Sequence, residues 1–134
     1  MSNTLLEANQ NEIFLNKICF IKENDLYIDY QNFKYFANES TYDTITIFVI
    51  NSLKKILKTK ELFTIHLSMK ALTMTEIDKH YNYIAKICTL FKKDFPEKLE
   101  ICNVYNAPFI FSQLFNIIYI FIDKNTQNKI KIIE

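Results

Sequence analysis

The chain has 134 residues, with 16 Lys, 15 acidic residues and a net charge of +1. That length suits one domain around one core, residues 1–134, which needs neither a disulfide nor a metal to be stable. So even a charge balance argues against nucleic acid as a partner, which calls for a concentrated basic surface, and against a charge-driven membrane anchor.

Every basic residue is Lys, and Gly and Trp are absent. Without Gly, the phosphate-cradling P-loop and the dinucleotide-binding fingerprint are excluded. Left-handed turn positions must then fall to Asn or Asp, with Asn24-Asp25, Asn38 and Lys124-Asn125 as the expected places. Cys19, Cys88 and Cys102 are odd in number and lack a CxxC spacing, which points to a reducing, cytoplasmic setting. The polar start lacks the layout of a signal peptide, and residues 1–11 are expected to be loosely ordered. The longest apolar stretch, Phe109 to Ile122, is shorter than the about 20 residues of a spanning helix.

In chain order, Ile13 to Ile21 reads as a strand, apolar and β-branched, and Leu26 to Tyr30 as a second. Gln31 to Thr41, with Phe33, Tyr35 and Phe36, reads as a packed loop or a short helical turn. Tyr42 to Lys58 is a helix, since Ile45, Phe48, Val49, Leu53, Ile56 and Leu57 share one face. Ser40 or Thr41 can cap it. Leu62 to Leu67 is a strand. Thr75 to Asp94 is a helix with Thr75 and Asp78 placed as a capping box, stopped by Pro96. Glu100 to Tyr105 is a strand, Pro108 opens a third helix, and Ile130 to Ile133 is the last strand. The order β-β-α-β-α-β-α-β implies an α/β fold with a mixed, largely parallel sheet and flanking helices.

Catalytic chemistry is poorly supplied. His66 and Ser68 alternate onto one strand face, but no acid is placed by sequence to complete a triad, and the pair reads as buried polar groups satisfied by backbone. His80 and Cys88 lie near one helical stripe without two further ligands at metal spacing. The cysteines read as small core residues. The chain is therefore expected to have no catalytic site, metal or cofactor.

The third helix is the informative element. Ser112, Gln113 and Asn116 cover one narrow stripe and apolar residues cover the rest. Such a helix is buried on nearly every side, or faces lipid or a partner.

Phe95 to Ile133 resembles the CRAL-TRIO lipid-binding family of retinaldehyde-, tocopherol- and phosphatidylinositol-transfer proteins. The resemblance lies in Phe95-Pro96-Glu97-Lys98-Leu99, Val104-Tyr105-Asn106-Ala107-Pro108-Phe109-Ile110-Phe111, Phe121-Ile122-Asp123-Lys124-Asn125-Thr126 and Lys129-Ile130, in register without a gap. Phe63 to Leu72 and the helix to Phe95 support it. It implies an apolar pocket floored by the sheet and closed by a gate helix, with Phe109, Phe111, Leu114, Phe115, Ile118, Phe121 and Ile122 as gate and pocket residues. It also implies that Glu97, Thr126 and Lys129 contact an inositol phosphate headgroup. The ligand implied is a phospholipid such as phosphatidylinositol, exchanged at a membrane surface.

The sequence departs from the family pattern where Ser68 and Ala71 stand in place of Asp and Gly after the central strand. The family's helical N-terminal lobe is missing, and the chain ends at Glu134 just after the last strand. A smaller pocket, or none, is expected on these grounds. The alternative is a protein-interaction module that keeps the fold without a pocket, as in divergent relatives that engage small GTPases.

Overall fold

The computed structural model describes residues 12–134. Residues 1–11, with the expectation attached to them, lie outside the described part. The described part begins in helix at residues 12–18 (α1) and enters strand β1 (Cys19–Lys22). A tight reversal at Glu23 and Asn24, both at positive φ, leads to β2 (Asp25–Asp29), antiparallel to β1. Helices α2 (Tyr30–Phe36) and α3 (Tyr42–Ile56) precede β3 (Phe63–Ser68). Helices α4 (Met74–Lys79) and α5 (Tyr81–Asp94) lead to β4 (Leu99–Tyr105), and α6 (Phe111–Phe121) and α7 (Lys124–Gln127) to β5 (Ile130–Ile132). The sheet is five-stranded in the order β1-β2-β3-β4-β5, parallel from β2 onward. This is the mixed, largely parallel sheet read from the sequence.

The sequential order places the helices. Right-handed crossovers that all advance in one direction lay their helices on one face of the sheet. Leu26, Ile65, Cys102 and Ile130 share a register row on that face, and Tyr27, His66, Asn103 and Lys131 form the row beside it, on the opposite face. One core cluster joins Leu26, Phe63 and Ile65 to Ile45, Val49, Leu53 and Ile56 of α3 and to Leu15 and Ile18 of α1. A second joins Val104 to Met69, Leu72, Ile77 of α4 and Phe111 and Leu114 of α6. Each fully buried Leu, Ile or Phe contributes roughly 1.5–3 kcal/mol, so these two clusters fix where the helices sit.

Several elements differ from the sequence reading. Residues 12–18 are helical rather than the start of a strand, because the residues they bury, Leu15 and Ile18, are three apart, a helical spacing, while Ile13 and Phe14 are exposed. The ambiguous stretch is α2, capped by Asp29, whose carboxylate accepts from the Gln31 amide at 2.9 Å. Thr41 is the N-cap position of α3, but its hydroxyl turns back to the Phe36 carbonyl at 2.8 Å and caps nothing. The helix expected from Thr75 to Asp94 breaks at His80, and its cap is Thr73, which accepts from the Glu76 amide at 3.3 Å. Glu76 does not complete a capping box and instead meets His80 Nε2 at 3.0 Å. Pro108 opens a turn ahead of the third helix, with the Phe111 amide donating to its carbonyl at 2.9 Å, so α6 starts three residues later. α7 was unforeseen. Asp123 caps it by accepting from the Thr126 amide at 2.7 Å.

Of the expected left-handed positions only Asn24 has positive φ. The other positive-φ residues among the described ones, none of them expected, are Glu23, Ala71, Glu97 and Asn106. In a chain without Gly these turns carry strain of roughly 1–2 kcal/mol per residue.

Candidate functional site: a cavity between α5, α6 and the sheet

On the helix-covered face, α5 and α6 part over β3, β4 and β5 and leave a cavity of about 380 Å³. Its floor is Phe63, Ile65, Cys102 and Ile130, one wall is Cys88 and Phe91 of α5 with Phe95 just after it, and the other is Ile118 of α6 with Ile122 just after it. Phe63 and Phe95 meet edge to face at 5.6 Å, which fixes one end. The volume lies at the low end of the roughly 300–1,000 Å³ of ordinary ligand pockets.

The polar residues gather at the mouth: Lys92, Glu97, Asp123, Thr126 and Lys129. The chain brings them together through three loops and helix ends at the edge of the sheet where β4 and β5 begin. Pro96 and Glu97 make the turn between α5 and β4, closed by the Lys98 amide donating to the Phe95 carbonyl at 3.3 Å. Pro at the second position and positive φ at the third, 59° at Glu97, is the type II pattern that favours Gly. Glu97 thus holds a strained backbone with its side chain exposed at the mouth. Asp123 starts α7, and Thr126 and Lys129 follow within it and just before β5. Lys129 is fixed through its backbone, its amide donating to the Thr126 carbonyl at 3.0 Å and its carbonyl accepting from the Cys102 amide at 2.8 Å.

The Thr126 amide holds the Asp123 carboxyl below the usual carboxylate range, and the charges of Lys92 and Lys129 act in the same sense. Burial pushes the Cys88 thiol up to about 11 and the Cys102 thiol up to about 12, so both stay protonated inside the cavity. Neither Lys92, Lys129 nor Glu97 is ion-paired among the described residues.

Glu97, Thr126 and Lys129 therefore stand on one cavity. Of the seven apolar residues attached to the gate helix, Ile118 and Ile122 line it. Phe111 and Leu114 are buried in the core cluster around Val104, and Phe115 packs against its edge. Phe121 is half-buried outside the lining, and Phe109, 98% exposed, projects from the turn before α6. The sequence reading missed the α5 wall and Lys92. The signal was present: Cys88, Phe91, Lys92 and Phe95 have the i, i+3, i+4, i+7 spacing of one helical face, so a lysine interrupts an apolar stripe.

The helix-free face carries a second, more open hollow of about 530 Å³. Phe20, Tyr27, His66 and Tyr105 stack across it, with successive centroids 5.3, 4.4 and 5.8 Å apart. His66 is satisfied by side chains rather than backbone, its Nε2 meeting Asp25 at 2.9 Å and its Nδ1 the Tyr105 hydroxyl at 2.8 Å. An acid does stand beside it, brought from β2 by the parallel pairing that sets Tyr27 against His66. Ser68 pairs with Asn106 at 3.4 Å, so no serine–histidine pair forms. His80, the other histidine, is 2% exposed and held between Glu76 and the Tyr42 hydroxyl.

The helix-backed mixed sheet thus carries an apolar cavity with a charged mouth. Residues 25–134 match the model of the CRAL/TRIO domain, and the chain belongs to that family. The chain is 34% identical over 67 residues to the Sec14 cytosolic factor of Schizosaccharomyces pombe, covering 50% of this chain and 23% of that one. Its fold is similar to that in the crystal structure of Sfh5, with a TM-score of 0.71 at 19% identity, over 86% of this chain and 46% of the other. The chain thus spans less than half the length of the relatives it matches.

Proposed function

We propose that this protein binds a phosphate-bearing lipid, with phosphatidylinositol as the leading class, and carries it between membrane surfaces without a chemical step. The observation that supports this best is the convergence of Glu97, Thr126 and Lys129 on the mouth of an apolar cavity. A lysine and a hydroxyl suit a phosphate, and a carboxylate can accept from the ring hydroxyls of inositol. Residence in the cytoplasm with transient visits to membranes follows from that role.

The test is lipid transfer between liposomes. Lys129→Ala removes a charge-assisted hydrogen bond of about 1.5–3 kcal/mol, so affinity for phosphatidylinositol is expected to fall roughly ten- to hundred-fold. Glu97→Gly suits the positive φ and is expected to impair phosphatidylinositol while sparing phosphatidylcholine. Loss of neither lipid in either variant contradicts the assignment of the mouth.

A second reading, a protein-interaction module, is favoured by the aromatic row on the helix-free face. Stable association of a protein partner, lost in Tyr27→Ala and unaffected by Lys129→Ala, would support it.

A further inference from the structure

The net charge of +1, which argues against a charge-driven membrane contact, conceals a segregation. Strands β2 to β5 are parallel, so the segments that lead into them meet at one edge of the sheet and those that leave them meet at the other. β1 runs antiparallel and ends at the first edge, where Lys22 pairs with Asp25. Contacts tie that edge together from strand to strand. Lys60 Nζ meets Asp25 at 3.7 Å, the Phe63 amide donates to the Lys98 carbonyl at 2.9 Å, and the Cys102 amide donates to the Lys129 carbonyl at 2.8 Å. Its segments, residues 22–25, 54–61, 92–98 and 123–129, hold ten of the 16 lysines against six of the 15 acidic residues, a local charge of +4. The opposite edge, residues 29–43, 68–81, 105–112 and 133–134, holds three lysines against six acidic residues, a local charge of −3.

Part of this pattern belongs to the helices. α3, α5 and α6 end at the lysine edge, and a helix C-terminus carries roughly half a negative charge. Three such ends offset about 1.5 of the four charges, so helix ends alone do not account for the excess. It is densest at the end of α3, where Lys54, Lys55 and Lys58 are exposed and have no ion-pair partner among the described residues. Leu62, exposed one residue before β3, adds an apolar side chain to the same edge.

The mouth of the cavity opens on this edge as well. Resting on the reading of that cavity as a lipid site, we propose that the lysine edge docks on an anionic phospholipid bilayer, with Lys54, Lys55 and Lys58, outside the mouth, as its main contacts. Docked so, the mouth faces the bilayer with which lipid is exchanged. The acidic edge lies roughly 20 Å behind, the length of strands of five to seven residues. That is about twice the Debye length at 0.1 M salt, so its charge is screened from the bilayer. Nucleic acid is a poorer match, since the edge has no Arg and, over residues 54–62 and 92–98, no exposed aromatic ring for base stacking.

The experiment is sedimentation of the full chain with vesicles of phosphatidylcholine and of phosphatidylcholine mixed with phosphatidylserine, at about 0.1 M and about 1 M salt. The wild type is expected to prefer the mixed vesicles at the lower salt and to lose the preference at the higher, where the Debye length is about 3 Å. The triple variant Lys54→Gln, Lys55→Gln, Lys58→Gln is expected to bind mixed vesicles on the order of a hundred-fold more weakly and pure phosphatidylcholine as the wild type does. Lys34→Gln, Lys70→Gln, Lys79→Gln removes the same charge from the acidic edge and is expected to change binding by no more than about two-fold. Lipid held in the cavity, read by native mass spectrometry, is expected to be the same in all three proteins. Equal binding of the wild type to both vesicles at the lower salt overturns the proposal without recourse to a variant. Equal losses in the two triple variants would assign the attraction to net charge and overturn the edge. Duplex DNA bound as tightly as the mixed vesicles, and weakened equally by the substitutions in α3, would make the edge a general polyanion site and overturn the membrane assignment. A chain that carries cavity lipid but shows no anionic preference overturns this inference alone. A chain that docks on mixed vesicles yet never takes up lipid upholds the edge and contradicts the lipid reading.

Discussion

At Ala71 the backbone has a φ of 72°, at a position where the family pattern has Gly. The methyl group there costs roughly 1–2 kcal/mol of local strain, and Gly would return part of that in lost chain entropy. Ala71→Gly is therefore expected to stabilise the fold by up to about 1 kcal/mol, read as a higher urea midpoint at unchanged slope. A fall in the midpoint would contradict the strain.

His80 is the other telling residue. Burial holds its pKa below the ordinary 6.5, against the opposing pull of Glu76. A histidine with a depressed folded pKa binds its proton more readily in the unfolded chain. Its neutral form therefore stabilises the fold above about pH 6.5, and that contribution falls as the pH drops below the unfolded value. The slope from one proton cannot exceed about 1.4 kcal/mol per pH unit. Urea midpoints at pH 7.5 and 5.5 are expected to drop less in His80→Gln than in the wild type. An equal drop would place the acid sensitivity elsewhere.

At the scale of elements, α6 shows how far the sequence could be read. Its apolar face was plain, and Phe111 and Leu114 duly enter the core cluster on Val104. The helix is nevertheless not buried all round, since Ile120 is 72% exposed. Leu114→Ala is expected to cost roughly 2–5 kcal/mol in urea unfolding through the cavity it opens. Ile120→Ser is expected to stay within about 0.5 kcal/mol of the wild type. Similar losses in both would mean that α6 packs differently. The parallel strands and the α3 helix were legible because each carries a continuous apolar period. The first helix was misread because Ile13, Phe14, Leu15 and Ile18 satisfy both a β-rich composition and a helical spacing, and only tertiary packing on Leu26 and Ile45 decides between them. The split at His80 was hidden because the Tyr42 hydroxyl that meets His80 there comes from α3, distant in sequence.

At the scale of the whole molecule, the sequential strand order collects the helices on one face. The same order gathers the loops before β4 and β5 at one edge, and that edge is the cavity mouth. Glu97, Thr126 and Lys129 could be named from the sequence because the family motif spans that edge. Lys92 could not, because its place at the mouth depends on how α5 lies against α6. The aromatic row on the opposite face was equally hidden, since it forms only when β1 to β4 align Phe20, Tyr27, His66 and Tyr105.

The most direct test of the cavity's role is native mass spectrometry of the purified chain, before and after incubation with liposomes of mixed phospholipids, followed by extraction of what is bound. The expected result is one phosphate-bearing lipid per chain, displaced when Ile118→Asp sets a charge in the cavity wall of a variant that still melts cooperatively. A chain that stays empty under both conditions would contradict it.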